Sequence, residues 1–520
     1  MPTQLQQRLK QIQQSPVAAT LASLQCGIEK EGLRVGLGGR ISHADHPATL
    51  GSALTHGSIT TDYSEALLEY ITPVFAAPEP ALDYMQQLHS YSASHLQTVG
   101  EYVWPASMPC YLDGEADIRI AEFGSSNIGK LKHTYRVGLA WRYGKIMQSI
   151  AGLHFNFSPT DDFWPAYQQL LGDQQSLCDF RSSQYFGLIR NFRRHSWVLL
   201  YLFGASPALD ASFVKGRDID LEKGPGDSLV GPYATSLRMS DLGYSNKVQS
   251  VLSLCFNDLD NYAKSLEHAI STSLSQYEKL GVKVDGEYRQ LNTNLLQIEN
   301  EYYSDIRPKR VARSGQKPVH ALKESGVEYV EVRNIDLNPF LPLGIDAEQS
   351  QFINAFLVWC LVAQSPIINE QECDMISNNQ STVVRRGRQP DLMLQTCEGE
   401  QSLKSMGLSI IDNLRQVAAI MPNAEAVTAS LETMEKRLED ADLTPSAQVL
   451  AAMSNKTLSH QQLAFELAQQ HQDYHLQQPL SLARRQQLHD EAKDSSAAQQ
   501  RIEAEQTEGF DDFLAAYLAQ

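Results

Sequence analysis

Residues 27–35, Gly-Ile-Glu-Lys-Glu-Gly-Leu-Arg-Val, decide the fold class, and the turn-forming run Gly-Leu-Gly-Gly follows them. This pattern predicts a short strand that feeds a hairpin. Because side chains alternate along a strand, Glu29 and Glu31 share the face of Leu33 and Val35, which should look inward. Two like charges about 6 to 7 Å apart repel by roughly 2 to 3 kcal/mol at an effective dielectric near 20, and desolvation adds to this cost. A divalent cation would remove the conflict; the alternative is an edge strand with both glutamates in water.

A second pair of carboxylates lies in residues 59–74. Asp62 falls at a turn, and Glu69 falls in an apolar run that a proline closes. Propensity does not decide between helix and strand here. On a strand, Glu69 would share a face with Leu67 and Ile71, so a carboxylate would again point where aliphatic side chains point. On a helix, it would be an ordinary surface glutamate.

Residues 147–157 predict a third strand, with an apolar face of Leu153, Phe155 and Phe157. The opposite face presents Gln148, Ile150, His154 and Asn156. Such a split is typical of a strand that packs on the core with its apolar face and lines a polar site with the other face. His154 is either a metal ligand or a buried histidine with a purely structural role. The presence of Asn156 on the same face favours a metal ligand.

Residues 326–334 predict a fourth strand from their β-branched content. Glu331 and Arg333 share one face of it, so a carboxylate that could bind metal lies beside a guanidinium that could bind phosphate. A cross-strand ladder of ion pairs is the alternative. Upstream, residues 306–313 form a basic segment that includes Arg310 and Arg313. It is either a solvated loop or, beside a metal site, a contact for a polyphosphate.

The available ligands are mostly oxygen donors, which selects Mg²⁺ or Mn²⁺ over structural zinc. The sequence has no P-loop, no dinucleotide-binding glycine motif opening a helix and no nucleophile elbow. We therefore expect phosphoryl chemistry in which the nucleotide is held by the cation and by arginines.

Composition narrows the function classes further. The net charge of −18 argues against binding nucleic acid or an anionic membrane through the overall field. The longest apolar stretches, 197–205 and 355–363, fall short of the ~20 residues of a membrane span. Seven cysteines without a C-x-x-C pair favour a reducing compartment, and the first 25 residues lack the apolar stretch of a signal peptide. We expect a cytoplasmic protein.

No long flexible linker divides the chain into independent modules. We expect one integrated unit, with a catalytic core in residues 1–345 and a mainly helical C-terminal region in residues 346–520 packed on it. The apolar spacing of residues 510–518 predicts a last helix that packs back on the body. We expect no catalytic role for it.

The same segments, in this order, resemble the proteobacterial type of glutamate-cysteine ligase. The resemblance covers residues 20 to 345 and is weak beyond residue 400. It rests on G-I-E-K-E-G-L-R-V at 27–35, G-S-A-L-T-H at 51–56, I-T-T-D-Y-S-E-A-L-L-E-Y-I-T-P-V at 59–74, W-P-A-S-M-P-C at 104–110, G-L-H-F-N-F-S at 152–158, P-Y-A-T-S-L-R-M-S-D-L-G-Y at 232–244, L-Q-I-E-N-E at 296–301, I-R-P-K-R at 306–310 and E-Y-V-E-V-R at 328–333.

The resemblance implies an α+β, glutamine-synthetase-like architecture in which a curved, mainly antiparallel six-stranded sheet forms a funnel flanked by helices. It implies that ATP phosphorylates the γ-carboxylate of L-glutamate, after which the amine of L-cysteine displaces phosphate. The products would be γ-glutamylcysteine, ADP and phosphate, the first step of glutathione biosynthesis. A carboxylate-amine ligase with another acceptor on the same scaffold is the alternative.

The resemblance also implies roles for individual residues. The expected ligands of a multi-Mg²⁺ site are Glu29, Glu31, Asp62, Glu69, His154 and Glu331. The expected substrate contacts are Tyr63, Tyr135, Arg136, Leu139, Gln148, Asn156, Arg238, Tyr244 and Tyr303. Arg238, Glu331 and Arg333 are the expected catalytic residues, and Arg310, Arg313 and Arg333 the expected nucleotide contacts. The sequence leaves open the oligomeric state, a monomer included, feedback inhibition by glutathione, and whether Cys373 and Cys397 pair.

Overall fold

The computed structural model describes residues 3–21, 24–243, 254–313 and 315–520. Tyr244, an expected substrate contact, lies outside the described residues. The strands are β1 (Gln25–Val35), β2 (Ile59–Thr61), β3 (Leu67–Ile71), β4 (Tyr102–Val103), β5 (Leu153–Ser158), β6 (Ala208–Asp210), β7 (Glu222–Lys223), β8 (Ser228–Val230), β9 (Lys283–Val284), β10 (Glu287–Tyr288), β11 (Ile306–Lys309), β12 (Tyr329–Ile335), β13 (Met393–Thr396) and β14 (Gly399–Ser402).

Helices make up most of the rest of the described chain. They are α1 (Gln4–Gln13), α2 (Val17–Thr20), α3 (Pro78–Leu96), α4 (Asn127–Tyr143), α5 (Phe163–Leu171), α6 (Leu177–His195), α7 (Trp197–Phe203), α8 (Leu259–Ser271), α9 (Ser275–Leu280), α10 (Pro318–Ser325), α11 (Ala347–Val362), α12 (Glu370–Arg386), α13 (Leu403–Ala418), α14 (Ala424–Glu439), α15 (Pro445–Lys456), α16 (His460–Gln477), α17 (Leu482–Glu505) and α18 (Phe510–Ala519).

The main sheet runs in the order β11-β12-β5-β1-β3-β2 among the described strands, and every pairing along it is antiparallel. A short additional strand, β4, pairs with the far end of β1. The expectation of an antiparallel, six-stranded sheet in an α+β protein is confirmed, with β4 as an addition. Because β1 is central, Glu31 is only 5% exposed, and an edge strand with both glutamates in water is excluded.

Two local expectations were wrong. Residues 146–149 form a 3₁₀ turn and not the start of a strand, because Gln148 N–H bonds back to the carbonyl of Lys145 and Ser149 Oγ to that of Ile146. Strand β5 therefore begins at Leu153. The basic segment is not a loop throughout, since residues 306–309 form β11. Pro308 is tolerated there because β11 is the edge strand.

Helices cover the back of the sheet. The ammonium group of Lys30, between the two glutamates of β1, lies on this side 3.2 Å from Nε2 of His89 on α3. The apolar stretches at 197–205 and 355–363 fall largely in α7 and α11, both buried. The last helix, α18, packs on α4 as expected. No helix among the described residues is long and apolar enough to cross a membrane.

Candidate active site

The register of the strands collects the expected metal ligands on one face of the sheet. Directly opposite residues of an antiparallel pair point to the same face. The opposed pairs are Glu29 with His154, Glu31 with Glu69, and Asn156 with Glu331. Of the two conformations that the sequence allowed around Glu69, helix or strand, the strand is confirmed, since Glu69 lies in β3. Four neighbouring strands thus contribute donors to one site.

Two groups of donor atoms could each hold a metal ion. They are Glu29, His154 and Glu331, and Glu31, Glu69 and His154, with the donor atoms of each group within 4.8 Å of one another. His154 belongs to both: its Nδ1 lies 3.0 Å from Oε2 of Glu29 and its Nε2 3.9 Å from Oε1 of Glu31. Carboxylate oxygens with one imidazole suit Mg²⁺ or Mn²⁺.

Burial makes two of these carboxylates hard to ionise. Burial raises the pKa of Glu69 well above its usual range, and the charges of Glu29, Asp62 and Glu31 raise it further. Burial also raises the pKa of Glu31, although the nearby imidazole of His154 opposes this effect. The part of the site around Glu31 and Glu69 is therefore short of positive charge.

Neighbouring groups lower the pKa of the other two carboxylates, Glu29 and Glu331. For Glu331, burial acts to raise the pKa, but Lys309 and Arg333 outweigh it and hold the pKa well below its usual range. Lys309 Nζ lies 3.2 Å from Oε1 of Glu331, and Arg333 Nη1 donates to Oε2 over 2.9 Å. For Glu29, the hydrogen bond with His154 overcomes burial and lowers the pKa. Asn156 Nδ2 also donates to Glu29, over 2.9 Å.

Arg238 lies in a 3₁₀ turn at Leu237–Met239, is 2% exposed, and reaches the end of β12 with its guanidinium. Its guanidinium donates to the carbonyl of Arg333 over 3.0 Å and to that of Ile335 over 3.2 Å. Gly152 lies directly against this guanidinium, and a Cβ at position 152 would collide with it. The glycine before β5 therefore allows Arg238 to approach the site.

Asp62 lies in the turn after β2 and has a side chain that is 46% exposed. It belongs to neither group of three donors, but it is held by Arg136 on α4, whose Nε donates to the carbonyl of Asp62 over 2.5 Å. Arg136 Nη2 also lies 3.6 Å from Oδ1 of Asp62. Helix α4 thereby reaches the edge of the metal-ligand cluster.

A cavity of about 390 Å³ is lined, among others, by Arg193, Arg238, Tyr303 and Arg333, and Arg333 connects it to Glu331 through their hydrogen bond. Tyr303 donates its hydroxyl to Oε1 of Gln148 over 3.0 Å. Among the expected site residues, buried polar atoms that lack a hydrogen-bond partner within the described chain include the Tyr63 hydroxyl, Gln148 Nε2 and Asn156 Oδ1. Buried polar groups are rarely left unsatisfied without a reason such as a bound ligand.

The structure does not bring every expected residue to this face. Arg310 donates to the carbonyl of Gly326 over 2.6 Å and lies 3.8 Å from Glu328, while Arg313 is exposed. Lys309, not singled out from the sequence, reaches Glu331 instead. If residues 306–309 are taken as a strand paired with 329–332, Arg307 lies directly opposite Glu331 and Lys309 points to the same face, so the pairing would have identified Lys309.

Comparisons with known proteins agree with this geometry. A family model described as glutamate-cysteine ligase matches residues 9–383. A glutamate–cysteine ligase of Pseudomonas aeruginosa strain UCBPP-PA14 is 49% identical over 95% of this chain and 94% of its own length. One from Hahella chejuensis is 48% identical over 100% of this chain and 99% of its own length.

Solved structures show the same fold. Glutamate–cysteine ligase from Francisella tularensis in complex with AMP aligns with a TM-score of 0.90 and 34% identity, covering 96% of this chain and 98% of that one. A bifunctional glutathione synthetase from Pasteurella multocida aligns with a TM-score of 0.72 and 26% identity, covering 91% of this chain and 55% of that one. The chain therefore belongs to the glutamate-cysteine ligase family.

Proposed function

We propose that this protein ligates the γ-carboxylate of L-glutamate to the amine of L-cysteine at the expense of ATP, through a γ-glutamyl phosphate. The products are γ-glutamylcysteine, ADP and phosphate, the first step of glutathione biosynthesis. The observation that carries the proposal is the face of the sheet on which two donor groups share His154 beside the Arg333–Glu331 pair. The names of the bacterial relatives and the AMP in the F. tularensis structure support it.

For the metal site we propose Mg²⁺ or Mn²⁺ bound by Glu29, Glu31, Asp62, Glu69, His154 and Glu331. The donor set fits a hard cation, and the burial of Glu69 among other carboxylates gives a reason for one. When bound, the cation neutralises phosphate and carboxylate charge that would otherwise keep the reactants apart.

The side chains of the chain itself position and polarise the reactants. Arg333 stabilises the charge that develops on the transferring phosphoryl group, and Glu331 fixes the orientation of Arg333 through their hydrogen bond. Arg238 faces the carboxylate of a substrate. We propose Arg310 and Arg313 as contacts of the nucleotide phosphates. To bind a phosphate, Arg310 would have to leave its ion pair with Glu328.

The acceptor pocket is proposed to be aromatic. Tyr63, Tyr135, Leu139, Gln148, Tyr244 and Tyr303 would enclose the small thiol side chain, with phenols on the carboxylate of cysteine. Asn156 and Arg136 are proposed as further substrate contacts. The unsatisfied Tyr63 hydroxyl and Gln148 amide support this placement, because a bound amino acid would supply their missing partners.

Release of ADP tests the proposal. We expect ADP only when glutamate, an acceptor amine and Mg²⁺ or Mn²⁺ are all present, with cysteine the best acceptor. Full activity in excess EDTA, or equal turnover without any amino acid, would contradict it. A better acceptor than cysteine would identify a related carboxylate-amine ligase on the same scaffold.

We also infer that the reaction takes place in the cytoplasm. All seven cysteines are unpaired in the described structure, Cys373 and Cys397 included. Unpaired thiols are typical of a reducing compartment.

A further inference from the structure

The end of the chain reaches back to the helix that carries three of the proposed substrate contacts. Helix α4 presents Tyr135, Arg136 and Leu139, and residues 503–518 lie along it. We propose that residues 503–518 form a C-terminal strap that positions α4 and thereby sets the affinity for the acceptor amine. This inference rests on the proposed function and extends it to a region for which the sequence indicated no role.

The strap supplies hydrogen-bond partners at the N-terminal end of α4. The first N–H groups of a helix have no partner within the helix. Asn127 N–H, at the first position of α4, donates to the side-chain oxygen of Gln506, and Ser125 N–H, just before the helix, donates to Oε1 of Glu503 over 2.7 Å. Asn127 Nδ2 donates to the carbonyl of Glu508 over 3.1 Å. The carboxylate of Glu503 also suits the positive end of the helix dipole.

Apolar packing extends this contact towards the pocket. Leu514 of α18 is 4% exposed and forms a core cluster with Leu131 of α4 and Leu291. Tyr135, a proposed wall of the acceptor pocket, packs against the same cluster. One side chain of the strap is therefore joined to a proposed acceptor residue through a shared apolar cluster.

The strap itself is fastened to the body of the protein. Lys283 Nζ lies 2.8 Å from Oδ2 of Asp511, and Lys317 Nζ donates to the carbonyl of Leu518 over 3.2 Å. These contacts flank Leu514 along α18, so the strap has a fixed position from which to hold α4.

The two ends of α4 are held differently. At its C-terminal end, Arg142 Nη1 lies 3.0 Å from Oε1 of Glu301, and both side chains are fully buried. This pair belongs to the core and does not involve the strap. Loss of strap contacts should therefore loosen the N-terminal half of α4, including Tyr135 and, through Arg136, the backbone of Asp62. Strand β12, which carries the phosphoryl side of the site, makes none of these contacts.

The test compares Gln506→Ala and Leu514→Ala with Gln506→Glu, which keeps an acceptor oxygen for Asn127. Ile502→Ala is the matched control, because Ile502 is 40% exposed on the preceding helix. We expect the KM for cysteine to rise about 3- to 10-fold in Gln506→Ala, as for loss of one hydrogen bond, and at least as much in Leu514→Ala. The KM for ATP should stay level, and Gln506→Glu and Ile502→Ala should behave like wild type.

Hydrogen exchange gives a readout that is independent of turnover. Amides of residues 127–135 should exchange faster in the two impaired variants, while those of β12 should not change. A KM for cysteine like that of wild type in both alanine variants would overturn the inference. So would equal rises in the KM for all three substrates, or a Gln506→Glu variant as impaired as Gln506→Ala. A wild-type protein that released no ADP with cysteine would instead refute the proposed function.

Discussion

Glu29 and Glu331 come from β1 and β12, the strands on either side of β5, and each touches a different set of partners. Glu29 contacts His154 and Asn156, whereas Glu331 contacts Lys309 and Arg333. We expect Glu29→Gln and Glu331→Gln each to lower turnover by at least ~10²-fold, because loss of a ligand misplaces the phosphate by a distance that catalysis by positioning does not tolerate. Initial rates at modest Mg²⁺ measure this, with circular dichroism to show that the fold is kept. Near-wild-type rates in both variants would show that neither glutamate binds the metal.

Tyr303 is the proposed acceptor residue whose hydroxyl is already placed, by its hydrogen bond with Gln148. When cysteine binds, we expect this hydroxyl to turn from Gln148 to the carboxylate of cysteine, so Tyr303→Phe should lower kcat/KM for cysteine about 10- to 150-fold, as for loss of a hydrogen bond to a charged group. The KM for ATP should hardly change. Tyr167→Phe is the matched control, because Tyr167 is a buried tyrosine and its hydroxyl accepts a hydrogen bond from Arg8 on α1. Steady-state kinetics with each substrate varied in turn decides the matter, and a selective rise in the KM for ATP would refute the assignment.

Single residues also show where sequence reasoning stops. The face of the sheet to which the side chains of Glu29, Glu31 and Glu331 point follows from strand alternation alone. The position of Lys309 does not, because it depends on pairing between β11 and β12, which lie about 20 residues apart. The burial of Lys30 was likewise missed, since its partner His89 lies on a helix 59 positions away.

Among the elements, the strands of the site were predicted well and their neighbours less well. Period-two patterns identify β1, β5 and β12 because each has an apolar face and a polar face. The same patterns do not reveal that β1 is central, since that depends on long-range pairing with β3 and β5. Gln148 was misplaced for a local reason: turn hydrogen bonds outweighed the alternation of residues 147–152.

Helix α16 makes the fold sensitive to acid. Its buried side carries His460, His471 and His475, and burial lowers their pKa values to about 4, about 4 and about 3. The unfolded chain binds these protons near pH 6.5, so the contribution of these three histidines to the free energy of unfolding should fall as the pH drops from about 6.5 to about 4. Each pKa unit is worth about 1.4 kcal/mol, so His460 alone accounts for about 3 kcal/mol.

The midpoint of urea unfolding, measured across this pH range, tests the sign and the origin of the effect. His460→Gln should give a shallower slope than wild type, because Nδ1 of His460 is buried with no hydrogen-bond partner among the described residues, so that protonation would bury an unpaired charge. Nearby Asp210 opposes the lowering only in part. His489→Gln, at an exposed position of α17, should leave the slope unchanged. Identical slopes for His460→Gln and wild type would exclude this histidine as a cause.

At the scale of the whole molecule, residues 1–345 and 346–520 share one core in the described structure. A single apolar cluster includes Leu9, Phe155, Phe356 and Leu488. Helix α11, from the second part, is buried against α6 from the first, and Asn191 Nδ2 on α6 donates to the carbonyl of Cys360 over 3.0 Å. Neither part can keep its apolar surface buried without the other, so we expect them to unfold together.

Cysteines at known depths allow that expectation to be measured. Cys110 in the first part and Cys360 in the second are 0% exposed, and burial raises the pKa of both thiols. Because the thiolate is the reactive form, neither should react with a thiol reagent until its surroundings unfold. Brief labelling at increasing urea, read by mass spectrometry of the two peptides, should give one shared midpoint. The exposed Cys397 should be labelled even without urea, which confirms that the reagent is active. Two separated midpoints for Cys110 and Cys360 would show that the helical C-terminal region is an independent domain, against the packing of α11 on α6.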